Sequence, residues 1–221
     1  MSKRTLYGEW HHLAGDELPP QLMELADPPK ELWVLGNPHA LFVPTLAVVG
    51  ARRCTPYGKS CARRFTRDAV ELGYTVVSGG ARGIDATAHL AALEVNGRTV
   101  AVLGGGIDWC YPNDNAALFQ KIIETGGAIV SEQRRDVEPK PWMFPRRNRI
   151  IAGLSQAMLV VECKVPSGTL TACDHMLTLK RPLLAVPGSV FSEQSVGCNH
   201  LIAERLAHAV HDEESFGRWL R

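Results

Sequence analysis

Two loops in this 221-residue sequence carry the residue types that bind phosphate groups. Each loop follows a short apolar run, and the two read Gly50-Ala51-Arg52-Arg53 and Ser78-Gly79-Gly80-Ala81-Arg82-Gly83. Glycine lets a phosphate approach the backbone closely, and an arginine beside a helix N-terminus adds a fork of donors to the positive end of the helix dipole. The two loops therefore predict anion binding, with simple solvation of a surface loop by Arg52 and Arg53 as the alternative.

The loop after Gly50 fits neither of the two common nucleotide-binding signatures. Gly58-Lys59-Ser60 imitates the end of a P-loop, but Arg53 stands where that loop needs its first glycine. The dinucleotide fingerprint G-x-G-x-x-G fails as well, because Gly50 is followed by Ala51 and Arg52. We therefore do not expect the loop after Gly50 to wrap a triphosphate.

A third basic segment combines aromatic and cationic side chains. Trp142 stands next to an arginine run that reads Phe144-Pro145-Arg146-Arg147-Asn148-Arg149. Bases stack on aromatic faces while arginines follow the phosphate backbone, which is how proteins hold single strands without reading their sequence. The alternative is an exposed charged turn with Phe144 filling the core. Further along, Ser167-Gly168-Thr169 opens another helical stretch and offers one more phosphate contact.

The sequence contains no recognisable catalytic or metal-binding set. No histidine is paired with a Ser or Cys nucleophile, no G-x-S-x-G elbow occurs, and no carboxylate dyad is evident. The six cysteines are scattered without a CxxC pair, which is typical of small buried residues in a reduced protein. We therefore predict no metal, no cofactor and no enzymatic activity.

Composition and charge restrict the class of protein. The formal net charge is only +1, but residues 52–82 hold seven Lys/Arg and residues 134–149 hold six, so one basic face is still expected. An apolar fraction of 45% and a charged fraction of 21% predict an ordered globular domain. The N-terminus lacks the apolar centre of a signal peptide and no run approaches transmembrane length, so we expect a cytoplasmic protein without a membrane partner.

The pattern of apolar runs predicts the elements that must position these loops. From residue 46 onward, short β-branched runs alternate with stretches of helical spacing, as in a doubly wound α/β domain with a mostly parallel sheet. Ligands of such sheets sit at the carboxyl ends of the strands, where the glycine and arginine loops begin. Residues 1–45 carry six prolines and are predicted to form an ordered lead-in, with one short helix, packed on the 46–221 domain. The predicted strands are 46–49, 75–77, 99–103, 128–130, 158–161 and 182–186.

In their order along the chain, these motifs resemble those of the DNA-processing A (DprA/Smf) family. The matching motifs are Gly50-Ala51-Arg52, Ser78–Asp85, Val102–Asp108, the FPxRNRxIAGLS run at 144–155, Ser167–Ala172 and Ala185–Gly188. The resemblance implies an extended Rossmann-like fold with a basic pocket for single-stranded DNA. It also implies a homodimer that protects incoming strands and loads a RecA-type recombinase onto them during natural transformation.

Carried over by position, the resemblance implies two sets of functional residues. The nucleic-acid-binding set is Gly50, Ala51, Arg52, Arg53, Ser78, Gly79, Gly80, Arg82, Gly83, Phe144, Arg146, Arg147, Asn148, Arg149, Ser167, Gly168 and Thr169. The dimer-interface set is His200, Leu201, Ile202 and Leu206. The sequence departs from the family pattern at Gly80, where leucine is usual, and at 133–136, where Gln-Arg-Arg-Asp replaces a proline–glycine turn and adds charge.

A nucleotide-binding sensor or a nucleotide hydrolase is the alternative function, because related Rossmann-like families share the overall plan. Phosphoribohydrolases of this kind carry a P-G-G-x-G-T-x-x-E signature that supplies a catalytic glutamate. The corresponding stretch at 166–173 has no glutamate. Its absence argues against hydrolysis and leaves a sensor open.

Overall fold

A single sheet organises the part of the chain that the computed structural model describes, residues 6–220. The strands are β1 (Trp10–Ala14), β2 (Glu31–Gly36), β3 (Thr45–Gly50), β4 (Thr75–Ser78), β5 (Thr99–Val102), β6 (Ala128–Ser131), β7 (Ala157–Val161), β8 (Leu183–Ala185) and β9 (His208–Ala209). They lie in the order β1-β2-β6-β5-β4-β3-β7-β8-β9. β2 runs antiparallel to both β1 and β6, and every pairing from β6 to β9 is parallel.

Helices cover both faces of this sheet. Those of the described chain are α1 (Pro56–Glu71), α2 (Ile84–Glu94), α3 (Ala116–Glu124), α4 (Met143–Leu154), α5 (Gly168–Thr178), α6 (Val196–Ala203) and α7 (Glu213–Gly217). Alternate strand residues point to opposite faces. Ala47 and Val49 accordingly pack in one apolar layer with α4, α5 and α6, while Leu46 and Val48 pack in the other with α1, α2 and α7. The prediction of a doubly wound, mostly parallel Rossmann-like fold is confirmed.

The order of the strands changes direction in the middle of the sheet. From β3 the chain proceeds through β4, β5 and β6 on one side, and then crosses to β7, β8 and β9 on the other. β3 and β7 are therefore neighbours that belong to different halves, and the crevice beyond their carboxyl ends is where doubly wound sheets bind ligands. Gly50 ends β3 and Glu162 follows β7, so the loops that start at these residues border that crevice.

The lead-in segment contributes two strands to the sheet itself. Its prolines begin or flank three short 3-10 helices, Gly15–Glu17, Pro20–Glu24 and Pro38–Leu41, but Glu31–Gly36 contains none and pairs as β2 with β6. Leu22, Leu25 and Leu32 enter the same apolar layer as α4. The segment was expected to lie on the domain as a lead-in with one short helix, and the division at residue 45 stays a prediction. All six predicted strands are present, as β3 to β8.

Candidate functional site

A cleft of about 710 Å³ opens at the carboxyl ends of β3 and β7. It is lined mainly by the loop after β3, the first half of α4 and the start of α5. The fold thereby brings together residues as distant in sequence as Gly50 and Thr169, which are 119 positions apart. Ten residues of the predicted nucleic-acid-binding set line the cleft: Gly50, Ala51, Arg52, Arg53, Phe144, Arg147, Asn148, Ser167, Gly168 and Thr169.

Three cationic side chains of the cleft lack a carboxylate partner within the described chain. Arg52, Arg53 and Lys164 line the cleft, and all three residues are exposed. None of them forms an ion pair with a carboxylate of residues 6–220. Because their charges are not neutralised by neighbours, they give the cleft a positive potential that attracts anions.

An aromatic face lies beside these charges. Phe144 is half-buried in the cleft wall, and the guanidinium of Arg52 lies 5.8 Å from the centre of its ring. The ring of Tyr111 lies 5.4 Å from that of Phe144, tilted by 39°. Phe144 thus lines the cleft instead of filling the core, and a planar group that enters the cleft meets ring and guanidinium together.

The start of α5 is fixed by contacts to two other elements of the cleft. The side chain of Ser167 caps the helix by accepting the Thr169 N–H at 3.1 Å. The hydroxyl of Thr169 donates to the Gly50 carbonyl at 3.3 Å, and the amide of Asn148 donates to the Gly168 carbonyl at 2.9 Å. These bonds tie β3 and α4 to the positive end of the α5 dipole, so the N-terminus of α5 borders the cleft in a defined position.

Arg147 lies at the floor of the cleft but its charge is used inside the protein. Its guanidinium donates to the carbonyls of Gly79 and Val102, which end β4 and β5. Burial lowers the pKa of Arg147 to about 10, opposed by the neighbouring Asp85, and burial raises the pKa of Asp85. Gly79 permits this pair, since a Cβ there would lie 2.6 Å from Asp85 Oδ2 and 2.7 Å from Arg147 Nη2. Arg147 therefore holds two strand ends together.

Three arginines of the predicted set do not line the cleft. Arg82 is exposed and donates through Nε to Asp114 at 2.9 Å. Arg146 donates to Glu132 at 2.7 Å, and the buried Arg149 donates to the other oxygen of the same carboxylate. The structure thus places these three side chains outside the cleft lining, each on a carboxylate, and their contact with phosphate stays a prediction.

The predicted site residues in the turn between β4 and α2 form the sheet edge beside the cleft. The hydroxyl of the buried Ser78 donates to a carbonyl of β3 at 2.6 Å, and the Gly80 carbonyl accepts from Asn115 at 2.9 Å. Gly83 precedes α2 with a φ of +82°, a conformation that favours glycine. Ser78, Gly79, Gly80 and Gly83 thus shape the sheet edge next to the cleft and do not line it.

Sequence reasoning missed three residues of the cleft region. Lys164 adds a positive charge and Tyr111 extends the aromatic face. Glu162 is buried, and its carboxylate accepts the N–H of Thr55 at 2.8 Å, at the N-terminus of α1. Its φ of +61° is rare for a residue with a side chain and costs about 1–2 kcal/mol. Position just after the predicted strand that became β7 was a signal for Glu162 and Lys164, whereas Tyr111 lies well inside the segment between β5 and α3.

The residues predicted at a dimer interface differ in exposure. Leu201 is only 3% exposed and packs in the apolar layer with α4 and α5, so it has no surface to offer a second copy. His200 is exposed, Ile202 is half-buried, and Leu206 just beyond α6 is 42% exposed. These three therefore keep accessible surface, His200 and Ile202 on α6 and Leu206 just after it.

The described chain has neither a metal-binding cluster nor a membrane-spanning helix. Within residues 6–220, no three His, Cys, Asp or Glu side chains converge to hold a metal ion. No helix in that range is both long and apolar enough to span a membrane. All six cysteines have free thiols, and burial raises the pKa values of Cys163, Cys173 and Cys198.

The sequence of this chain is similar to those of two bacterial proteins. It is 44% identical over 207 residues to protein Smf of Escherichia coli, which covers 92% of this chain and 55% of that protein. It is 40% identical over 192 residues to DNA processing protein DprA of Streptococcus pneumoniae, covering 87% of this chain and 67% of that protein. The chain thus spans between about half and two thirds of the length of these relatives.

Solved structures show the same fold. The structure of DNA processing protein A from Streptococcus pneumoniae matches with a TM-score of 0.87 and 36% identity, over 95% of this chain and 74% of that one. DNA processing protein A from Helicobacter pylori, described for its single-stranded DNA binding mode, matches with a TM-score of 0.86 and 28% identity, over 95% and 94%. The family model for DNA recombination-mediator protein A matches residues 11–219. This chain therefore belongs to the DNA recombination-mediator protein A family.

Proposed function

We propose that this protein binds single-stranded DNA in the cleft between the β3 loop, α4 and α5, and carries out no chemistry on it. The observation that supports this most strongly is the set of unpaired cations, Arg52, Arg53 and Lys164, beside the ring of Phe144. Cations that follow a phosphate backbone next to an aromatic platform are how proteins hold single strands of any sequence. The Helicobacter pylori relative is described as binding single-stranded DNA, which agrees with this reading.

The aromatic face favours single strands over duplex. In a duplex the bases are stacked on one another and present only their edges, whereas an unstacked base can lie on a ring. Phe144 is recessed in the cleft wall with Arg52 over its ring, so a base must leave a stack to reach it. Duplex DNA would engage only the exposed charges at the rim.

The absence of chemistry is part of the proposal and is supported by the state of the polar groups near the cleft. The carboxyl of Asp85 is buried against Arg147, and the carboxylate of Glu162 is engaged by Thr55. His89 lies on α2 with 0% exposure, and burial lowers its pKa to about 3. A nucleophile paired with a base that a substrate can reach is not found among residues 6–220.

Partners of the whole protein are proposed by family membership. We infer protection of incoming strands in the cytoplasm, help in loading a RecA-type recombinase during recombination or natural transformation, and a homodimer. The exposed His200 and Leu206, with the half-buried Ile202, provide a surface for a second copy. These roles go beyond the cleft and need separate tests. Recombinase loading is tested with the purified recombinase, and the oligomeric state is tested by analytical ultracentrifugation.

The test of DNA binding is a titration of the wild-type chain with three ligands. A labelled thymidine oligonucleotide of about 20 nucleotides, a duplex of equal length and dTMP are compared between about 50 and 200 mM salt. We expect the single strand to bind tightest, with the logarithm of its affinity falling by about 0.7 per decade of salt for each phosphate contacted. Preference for dTMP with a shallow salt slope would instead support a nucleotide sensor.

A further inference from the structure

Helix α1 begins at the point where the strand order reverses, the place where doubly wound sheets commonly bind the phosphate of a nucleotide. Its N-terminus carries the positive end of the helix dipole and backbone N–H groups without partners inside the helix. In this chain, a side chain of the protein itself occupies the space in front of that N-terminus. It is the carboxylate of Glu162, which is 3% exposed.

Both oxygens of Glu162 are engaged by the cap of α1. Oε2 accepts the backbone N–H of Thr55 at 2.8 Å, and Oε1 accepts the Thr55 hydroxyl. The same hydroxyl oxygen accepts the N–H of Gly58 at 3.2 Å, so the carboxylate is linked to the first turn of the helix. Backbone N–H groups, a hydroxyl and a helix dipole are the partners that a phosphate would receive at this position.

The surrounding backbone is shaped to hold the carboxylate there. Residue 162 adopts a φ of +61°, and its carbonyl accepts the Ala51 N–H at 2.9 Å, which fixes the end of β7 to the loop after β3. Gly58 leaves room for the carboxylate, because a Cβ at that position would lie 2.3 Å from Glu162 Oε2 as it is placed here. Among residues 6–220 no Lys or Arg forms an ion pair with Glu162, so the cap of α1 is what stabilises this buried charge.

We propose that Glu162 is a specificity-determining residue that excludes the phosphate of mononucleotides and dinucleotides from the N-terminus of α1. A second anion cannot share that site, because the two like charges would lie within a few ångström in a buried environment. Among residues 6–220, the phosphate-binding groups that line the cleft are then Arg52, Arg53, Lys164 and the start of α5, and their spacing suits the successive phosphodiesters of a strand. The inference rests on the proposed function for this last step.

The test removes the carboxylate and measures phosphate binding. Glu162→Ala empties the space, Glu162→Gln keeps its shape without the charge, and Glu193→Gln removes an exposed charge of the neighbouring loop as the matched control. Inorganic phosphate and dTMP are titrated calorimetrically into each variant and the wild type. We expect Glu162→Ala to bind both at least tenfold more tightly than the wild type, with Glu193→Gln unchanged. Equal affinity in Glu162→Ala and wild type would overturn the proposal.

Loss of the cap could lower the stability of Glu162→Ala, and this provides a second readout. Unfolding temperatures are measured in phosphate, acetate and chloride at matched ionic strength. Phosphate stabilises folded proteins in general and can also bind the cleft cations, so the wild type sets the baseline. We expect phosphate and acetate, relative to chloride, to raise the unfolding temperature of Glu162→Ala by more than they raise that of the wild type. If the variant unfolds at room temperature, recovery of its folding by phosphate but not by chloride gives the same answer. A stability that does not depend on the anion contradicts the proposal.

Failure of the proposed phosphate exclusion by Glu162 is distinguishable from failure of the proposed DNA binding. The oligonucleotide titration of the wild type reports on strand binding and does not involve a change at Glu162. If the wild type binds no single strand while Glu162→Ala binds phosphate more tightly than the wild type, the exclusion by Glu162 stands and the assignment of the cleft to single-stranded DNA is refuted. If the wild type binds single strands and Glu162→Ala binds phosphate no more tightly than the wild type, the strand assignment stands and the exclusion by Glu162 is refuted.

Discussion

Two groups of arginines in this chain occur in similar sequence surroundings, in basic segments that also carry glycine or aromatic residues, yet they end in different environments. Arg52 and Arg53 stand exposed at the cleft without a carboxylate partner among residues 6–220. Arg82 and Arg149 are bound by carboxylates. The comparison teaches that charge in a loop predicts a binding site only where the fold leaves that charge without a partner.

Arg147 extends this comparison to the interior. It belongs to the same FPxRNR run as Phe144, and it borders the cleft, but its donors are taken by the carbonyls of Gly79 and Val102. One short segment thus supplies an aromatic wall, a buried structural charge and, at Arg146, an ion pair with Glu132. Helical geometry explains the division, because successive residues of α4 point in different directions.

The largest expected effect is on stability, from Arg147→Met. This substitution leaves Asp85 without its cationic neighbour and two buried carbonyls without a donor, so the free energy of unfolding should fall by about 3–5 kcal/mol. Urea unfolding followed by circular dichroism measures it, and Arg147→Met combined with Asp85→Asn should recover part of the loss. A decrease below about 1 kcal/mol would show that Arg147 does not hold the strand ends, and the comparison would lose its interior member.

The next effect is on DNA affinity, from Arg52→Ala and Arg53→Ala. Each removes a charge-assisted contact worth about 1.5–3 kcal/mol, which is about 10-fold to 100-fold in the dissociation constant. Fluorescence anisotropy with a thymidine oligonucleotide measures the loss, and the salt slope should become shallower by about 0.7 per contact removed. Urea unfolding of both variants should stay close to that of the wild type, because both side chains are exposed and neither forms an ion pair with a carboxylate of residues 6–220. Unchanged affinity in both would refute the cleft as the binding site.

A smaller effect is expected from Phe144, which separates stacking from charge. Phe144→Leu keeps an apolar wall but removes the ring, so a stacked base should lose about 1–3 kcal/mol of binding free energy. Because no phosphate contact is removed, the salt slope should stay that of the wild type. Phe144→Tyr retains the ring and is the matched control. If Phe144→Leu binds as tightly as Phe144→Tyr, the aromatic face does not contact bases.

How far the sequence predicts the fold depends on where each strand finds its partners. Six of the seven parallel strands, β3 to β8, are recognisable in the sequence as apolar runs, because strands buried on both faces need apolar residues throughout. β2 was missed since prolines surround it and its pairing with β6 joins residues about a hundred positions apart, such as Trp33 and Ser131. β9 is two exposed residues, His208 and Ala209, and nothing local distinguishes it from a loop.

The candidate site is likewise predicted by the sequence only where local motifs determine it, and not where contacts between distant residues do. Motif order predicts that Arg52, Phe144 and Ser167 belong near one sheet edge, and the fold places them around one cleft. The ion pairs that occupy other arginines join distant positions, as in Arg82 with Asp114, 32 residues away. Local sequence does not encode such pairs, because they depend on how β4 and the loop after β5 lie against each other. The position of Glu162 at α1 needs three-dimensional packing for the same reason.

The smallest expected effect comes from Arg82→Ala. This variant tests directly whether an arginine that is paired with a carboxylate contributes to DNA binding. Arg82 and Asp114 are both more than 60% exposed, so their ion pair should contribute no more than about 1 kcal/mol to stability. DNA affinity should change by less than about twofold, because Arg82 does not line the cleft and Asp114 already neutralises its charge. Arg82→Ala is thus the matched control for Arg52→Ala, with the same loss of one guanidinium from a neighbouring strand-end loop. If Arg82→Ala lowers affinity as much as Arg52→Ala, then DNA displaces Asp114 and binds Arg82, and the ion pair seen here is one that opens on binding.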